Sequence, residues 1–225
     1  MIKLCVFDLD GTLADTIDSM AYPANRALKE LGLPELPYEG FRYYAGDGAA
    51  MLCKRALAAA GDPEGVHYEV FYPLYRKYFS TDCMYHVRIY DGMRETLEAL
   101  KQAGIHISVL SNKPHGQAVN VIADLFGEGY FDAVQGQVDG IPRKPAPDGA
   151  LKLAEKFGVK PEECLYIGDT GTDMLTGTRA GMHTLGVLWG FRDRKELEEN
   201  GAWKVLEKPE EILEYAGCAG KEETV

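Results

Sequence analysis

Asp8-Leu9-Asp10-Gly11-Thr12-Leu13 follows a short apolar run, Ile2 to Phe7, whose length and composition predict a buried strand. Two carboxylates two residues apart, at the end of a strand and before a glycine turn, can converge on one point. Burying like charges together is costly unless a cation or a shared proton lies between them. The pair therefore reads as a metal site, as a nucleophile with an acid/base partner, or as both.

Outward from this stretch, the chain from Ile89 onward alternates apolar runs with helical patterns. Ile105–Leu110, Phe131–Val134, Cys164–Ile167 and Thr184–Leu188 read as strands. Arg94–Ala103, Gly116–Leu125, Asp148–Phe157 and Asp173–Ala180 read as the helices between them, with Gly104, Gly158 and Gly181 as stops. Such alternation implies a parallel sheet flanked by helices, with function at the carboxyl ends of the strands. From about Asp15 to His86 the alternation is replaced by helices over Thr16–Leu31, Ala49–Ala60 and Glu64–Phe79, with Pro23 near a bend of the first. The stripe Tyr68, Phe71, Tyr72, Tyr75, Tyr78 and Phe79 has helical spacing and reads as core packing. An all-helical block after the first strand reads as an inserted cap. The tail after Tyr215 reads as frayed.

A length of 225 residues allows a sizeable core, and the net charge of −11 argues against nucleic acid and anionic membranes as partners. An anionic substrate needs local positive charge against that background. Five scattered cysteines without a Cys-x-x-Cys pair fit a reduced, cytoplasmic protein; a monomer or homodimer is expected. No basic-then-apolar leader is visible. His67, His86, His106, His115 and His183 lack ligand spacing and read as structural or solvent-facing.

Four strand ends carry polar signatures: Asp8/Asp10 with Thr12, Ser111-Asn112-Lys113, Lys144 in Arg143-Lys-Pro, and Gly168-Asp169 with Asp173. Singly, each can be a turn, a cap or a solvated loop. Together they share one edge of one sheet. Asp8 can attack phosphorus and Asp10 can protonate the departing alcohol. Ser111 and the Asn112 backbone or amide can hold phosphoryl oxygens, Lys144 supplies fixed charge, and Asp169 and Asp173 are hard ligands for Mg²⁺. Four aspartates repel a phosphate, so the scheme needs Mg²⁺, Lys144 and a proton on Asp10 together.

These four motifs, in order, resemble those of the haloacid dehalogenase superfamily. The resemblance implies an α/β fold: a Rossmann-like parallel-sheet core of residues 1–15 and 87–225, with an inserted α-helical cap domain, 16–86. It implies a phosphatase in which Asp8 is the nucleophile, Asp10 the acid/base, and Ser111 and Lys144 bind the phosphoryl group. Mg²⁺ would sit on Asp8, the Asp10 carbonyl and Asp169, with Asp173 a direct or water-mediated ligand. Asp10 excludes dehalogenases and phosphonatases of the superfamily, which lack that second aspartate.

Ser111-Asn-Lys-Pro114, Tyr44-Ala-Gly-Asp-Gly48 and Ala180-Gly181 look most like bacterial phosphoglycolate phosphatases. A small phosphorylated metabolite of the 2-phosphoglycolate type is therefore the expected substrate. Thr12, Asn112, Gly46, Asp47 and Gly48 are expected at the substrate, although Gly46-Asp47-Gly48 also reads as a plain flexible turn. Arg55 and Arg192 are expected at the solvated surface, with contact to a substrate carboxylate as the alternative. A sugar phosphomutase of the β-phosphoglucomutase type, a pyrophosphatase and a silent binding module are the alternatives. Cap hinges are expected near Ala14–Thr16 and Val87–Tyr90.

Overall fold

The computed structural model describes residues 1–218. β1 (Leu4–Phe7) is followed by β2 (Ala14–Asp15) and then by four helices: α1 (Ile17–Glu30), α2 (Phe41–Tyr44), α3 (Ala49–Ala59) and α4 (Tyr68–Asp82). The chain returns through β3 (Arg88–Ile89) to α5 (Met93–Gln102), β4 (His106–Pro114), α6 (His115–Phe126) and β5 (Ala133–Gln137). It continues with α7 (Asp148–Lys156), β6 (Cys164–Gly168), α8 (Gly171–Arg179) and β7 (His183–Val187). The described part ends with α9 (Arg194–Glu199), β8 (Lys204–Leu206) and α10 (Ile212–Ala216).

Six strands form one parallel sheet in the order β5-β4-β1-β6-β7-β8. Every residue of β1 is buried, because strands lie on both sides of it and helices cover both faces. The period of two sends Cys5 and Phe7 into a cluster with α5, α6 and α10, and Leu4 and Val6 into one with α7. A third cluster belongs to the helical segment, with Phe41, Leu52, Leu57, Phe71 and Tyr75 at its centre. That segment is tied at its base by the antiparallel ribbon of β2 and β3, where Ala14 faces Ile89 and Asp15 faces Arg88. Among the described residues no helix is long and apolar enough to cross a membrane.

The α/β class and the parallel sheet are as the sequence implies, with several shifts. β4 runs on to Pro114, so Ser111, Asn112 and Lys113 lie in the strand's last turns rather than after it. α4 begins at Tyr68 because the Asp62 carboxylate accepts from the Val66 and His67 amides, which holds the preceding residues in a turn. Pro23 lies inside α1, which runs unbroken past it. The expectation of fraying after Tyr215 is corrected for Ala216–Cys218: Ala216 is buried and Cys218 packs on the core, while 219–225 lie outside the described residues.

Leu97 is fully buried beneath the sheet. Leu97→Ala is expected to cost about 2–5 kcal/mol, lowering the melting temperature by roughly 4–20 °C at this chain length. Val66→Ala, at a position 79% exposed, is expected to leave it nearly unchanged. Calorimetry that found equal losses would contradict this core assignment.

Candidate active site

The carboxyl ends of β1, β4 and β6 deliver the site. The Asp8 N–H extends the β1–β6 ladder by donating to the Ile167 carbonyl at 2.9 Å. The chain then turns sharply, with the amides of Thr12, Leu13 and Ala14 all donating to the Leu9 carbonyl. Gly11 sits in this turn at φ +87°, and a Cβ there would lie 2.2 Å from Asp169 Oδ2. Only glycine permits both the turn and the close approach.

Three buried carboxylates result. Asp8, Asp169 and Asp173 each bring one oxygen within 4.8 Å of the others. Asp8 Oδ1 accepts from the Leu9 amide at 2.7 Å and pairs with Lys144 Nζ at 2.8 Å. Its Oδ2 has no hydrogen-bond partner among the described residues. Asp169 is held by Thr12 Oγ1 at 3.1 Å and the Phe191 amide at 2.9 Å. Asp173 closes a capping box with Thr170 at the start of α8, and its other oxygen accepts from Lys144 Nζ at 2.7 Å. Both oxygens of Asp173 are thus engaged by the protein itself.

Burial, and then the charge of Asp173, push the Asp8 carboxyl up to about 7 against the pull of Lys144. Burial, and then Asp173 and Asp8, hold Asp169 well above the ordinary carboxylate range. Burial works against the Lys144 ammonium, but Asp173 and Asp8 outweigh it and raise its pKa. One lysine cannot neutralise three buried carboxylates. A divalent cation would remove the excess, so hard oxygen donors and uncompensated charge both fit the expected metal.

Asp10 lies one pleat on and pairs with Lys113 Nζ at 2.8 Å. Sequence reasoning assigned Lys113 no role. The available signal was a lysine beside an apolar strand, since such a charge must find an acid when buried. Ser111 is buried, and its Oγ accepts from the Lys113 amide at 3.2 Å.

The expected substrate set separates. Gly46 and Gly48 border, with Asp8, Asp10, Ser111 and Lys113, a cavity of about 40 Å³. Asp47 instead accepts from Arg55 Nη2 at 2.5 Å and Thr172 Oγ1 at 2.9 Å. Burial raises its pKa, but these two donors and the Arg55 charge bring it below the usual range. The Thr12 hydroxyl donates to Asp169 and so supports that carboxylate. The Asn112 side chain is likewise spent. Its Oδ1 accepts from the Lys144 amide at 2.9 Å, and its Nδ2 donates to the carbonyls of Lys144 and Gly46, each at 3.1 Å.

Arg55 and Arg192 are not the solvated surface groups expected. Arg55 also donates to the Tyr44 carbonyl at 3.1 Å, and Arg192 donates to the carbonyls of Arg42 and Ala45. Tyr75 and Phe79, from the aromatic stripe, serve the packing role expected and also line the cavity. His67, His86 and His106 pair with Asp62, Asp18 and Asp132, away from the cluster.

A family model described as haloacid dehalogenase-like hydrolase matches residues 5–187. Phosphoglycolate phosphatase of Nitrosospira multiformis is 34% identical over 201 residues, covering 88% of each chain. Phosphoglycolate phosphatase of Aquifex aeolicus is 36% identical over 190 residues, covering 84% of this chain and 86% of that one. The crystal structure of a candidate phosphoglycolate phosphatase from Lactobacillus delbrueckii subsp. bulgaricus superposes with a TM-score of 0.89 at 29% identity, covering 95% and 98%.

The raised Asp8 pKa has a consequence for stability. Asp8 binds its proton more tightly folded than unfolded, where a carboxyl titrates near 3.8. The stability this gives is complete below that value and fades as pH rises through about 7. In chelator, the melting temperature is therefore expected to fall between pH about 5.5 and about 7 and to level off above that. Mg²⁺ at about a hundred times its Kd should add about 2.7 kcal/mol, or roughly 5–10 °C, and more at the higher pH, where the ligands are ionised. Melting curves indifferent to Mg²⁺ at both pH values would contradict the fit.

Proposed function

Because the chain belongs to the haloacid dehalogenase-like hydrolases and is a phosphoric monoester hydrolase, we propose that it hydrolyses a small phosphorylated carboxylate of the 2-phosphoglycolate type. The observation that carries the reading is the free Oδ2 of Asp8, beside Lys144 and within a cluster that calls for a divalent cation.

In this reading Asp8 Oδ2 forms a bond to phosphorus as the ester P–O bond breaks, and the leaving oxygen takes a proton from Asp10. Asp10 then accepts a proton from the water that attacks the aspartyl-phosphate, which releases phosphate and regenerates Asp8. Ser111 Oγ and the Lys144 ammonium hold the phosphoryl oxygens, and Asn112 keeps the Lys144 loop in register. Asp8, the Asp10 carbonyl and Asp169 would hold Mg²⁺, which supplies positive charge that draws the phosphoryl dianion toward Asp8. Asp173 aligns Lys144 through one oxygen and caps α8 through the other, and it would serve the metal directly or through water.

Residues 16–86 act as a cap domain on a core of 1–15 and 87–225. Support comes from the separate apolar cluster of the helices and from the two-stranded ribbon, beside which the hinges at Ala14–Thr16 and Val87–Tyr90 lie. The cavity beside Asp8 and Asp10, with apolar walls from Met20, Leu52, Tyr75 and Phe79, would receive the leaving group. The unpaired cysteines suit a reducing compartment such as the cytoplasm.

Phosphate release from phosphoglycolate, pyrophosphate, nucleotides and hexose phosphates tests the reading. Phosphoglycolate is expected to turn over fastest, with the activity lost in chelator. Asp10→Asn should lower kcat by about 10²–10⁴-fold, and Asp8→Asn should abolish turnover. Ordinary phosphate release by Asp8→Asn under Mg²⁺, or an isomerised sugar phosphate with little free phosphate, would overturn it.

A further inference from the structure

We infer that Lys113 is the specificity residue of this enzyme, binding the carboxylate of the substrate while Lys144 serves the phosphoryl group; the inference rests on the phosphatase reading above. The Lys113 side chain is 3% exposed, and its Nζ carries three donors. One goes to Asp10 Oδ1 at 2.8 Å, and among the described residues no other hydrogen bond forms at Nζ. The ring of Phe79 lies 4.9 Å away and offers a π face but no acceptor. Two N–H groups of a buried ammonium are therefore left over, a costly arrangement unless a ligand meets them.

The cavity says what that ligand is. Met20, Leu52, Tyr75 and Phe79 give it apolar walls, and Lys113 is the one cation lining it among the described residues. The neighbouring cations are committed elsewhere: Arg55 to Asp47, Arg143 to the Asp47 carbonyl, Arg192 to Ala45, and Lys144 to Asp8 and Asp173. A carboxylate within a short reach of the phosphoester oxygen can accept both spare donors. An alkyl group in its place would leave them unpaired. Asp10 is adjacent, so the same lysine draws the leaving oxygen toward the acid that protonates it.

The test compares kcat/KM for 2-phosphoglycolate with that for ethyl phosphate, which carries a methyl group in place of the carboxylate. Both esters depend on Asp8 and Asp10 and report on the same folded molecules, so damage to Asp10 or partial misfolding cancels from the ratio. The wild-type enzyme is expected to prefer phosphoglycolate by about 10- to 100-fold, the worth of a charge-assisted hydrogen bond. Lys113→Met and Lys113→Gln should bring the ratio to near unity, and Lys113→Arg should retain much of it. Glycolate should compete with substrate in the wild type, whereas ethanol should not. A preference that survives both neutral substitutions, or equal inhibition by glycolate and ethanol, would overturn the assignment and leave Lys113 only as the counterion of Asp10. No phosphate release from either ester by the wild-type enzyme would instead overturn the phosphatase reading.

Discussion

The organising constraint is an excess of buried negative charge at the carboxyl edge of the sheet. At 4.8 Å and an effective dielectric of about 20, two carboxylates repel by roughly 3–4 kcal/mol. The fold holds three of them there, with a single lysine between Asp8 and Asp173. Adjacent parallel strands β1 and β6 set the spacing. Gly11 and Gly190 permit it, since a Cβ at either would run into Asp169. Thr12 and the Phe191 amide then fix the orientation of Asp169. A fold that keeps such a cluster is preloaded for a cation.

Access is the second constraint. The loop of Gly46, Asp47 and Gly48 is clasped to the sheet side from several directions: Asn112 to the Gly46 carbonyl, Thr172 to the Asp47 carboxylate, and Arg143 to the Asp47 carbonyl. Arg192 adds the Ala45 carbonyl. Each bond is modest alone, but together they hold the loop against the cavity that borders Asp8.

The alternation of apolar runs and helix patterns made the parallel sheet legible, and the four polar strand ends pointed to one edge. Asp8, Asp169, Asp173 and Lys144 were readable because a charge at the end of a buried strand must meet a counter-charge, a cation or a proton. Thr12, Asn112 and Asp47 are polar and near the site, and their side chains hold other protein groups. Which partner a short polar side chain takes depends on a contact more than a hundred residues away, as Thr12 to Asp169 shows. Lys113 was hidden for a related reason. The β4 register shifts between Leu110 and Pro114, so simple alternation does not say where its side chain goes. β8, α9 and α10 are short, and their stability comes from packing against β7 and α5 rather than from local pattern.

Anomalous scattering from crystals grown with Mn²⁺ in place of Mg²⁺ tests the central claim most directly. One ion is predicted, in contact with carboxylate oxygens of Asp8 and Asp169 and with the Asp10 carbonyl, and with Asp8 Oδ2 still open to the cavity. No peak at saturating Mn²⁺, or a peak bound elsewhere while the three carboxylates stay together, would contradict the account.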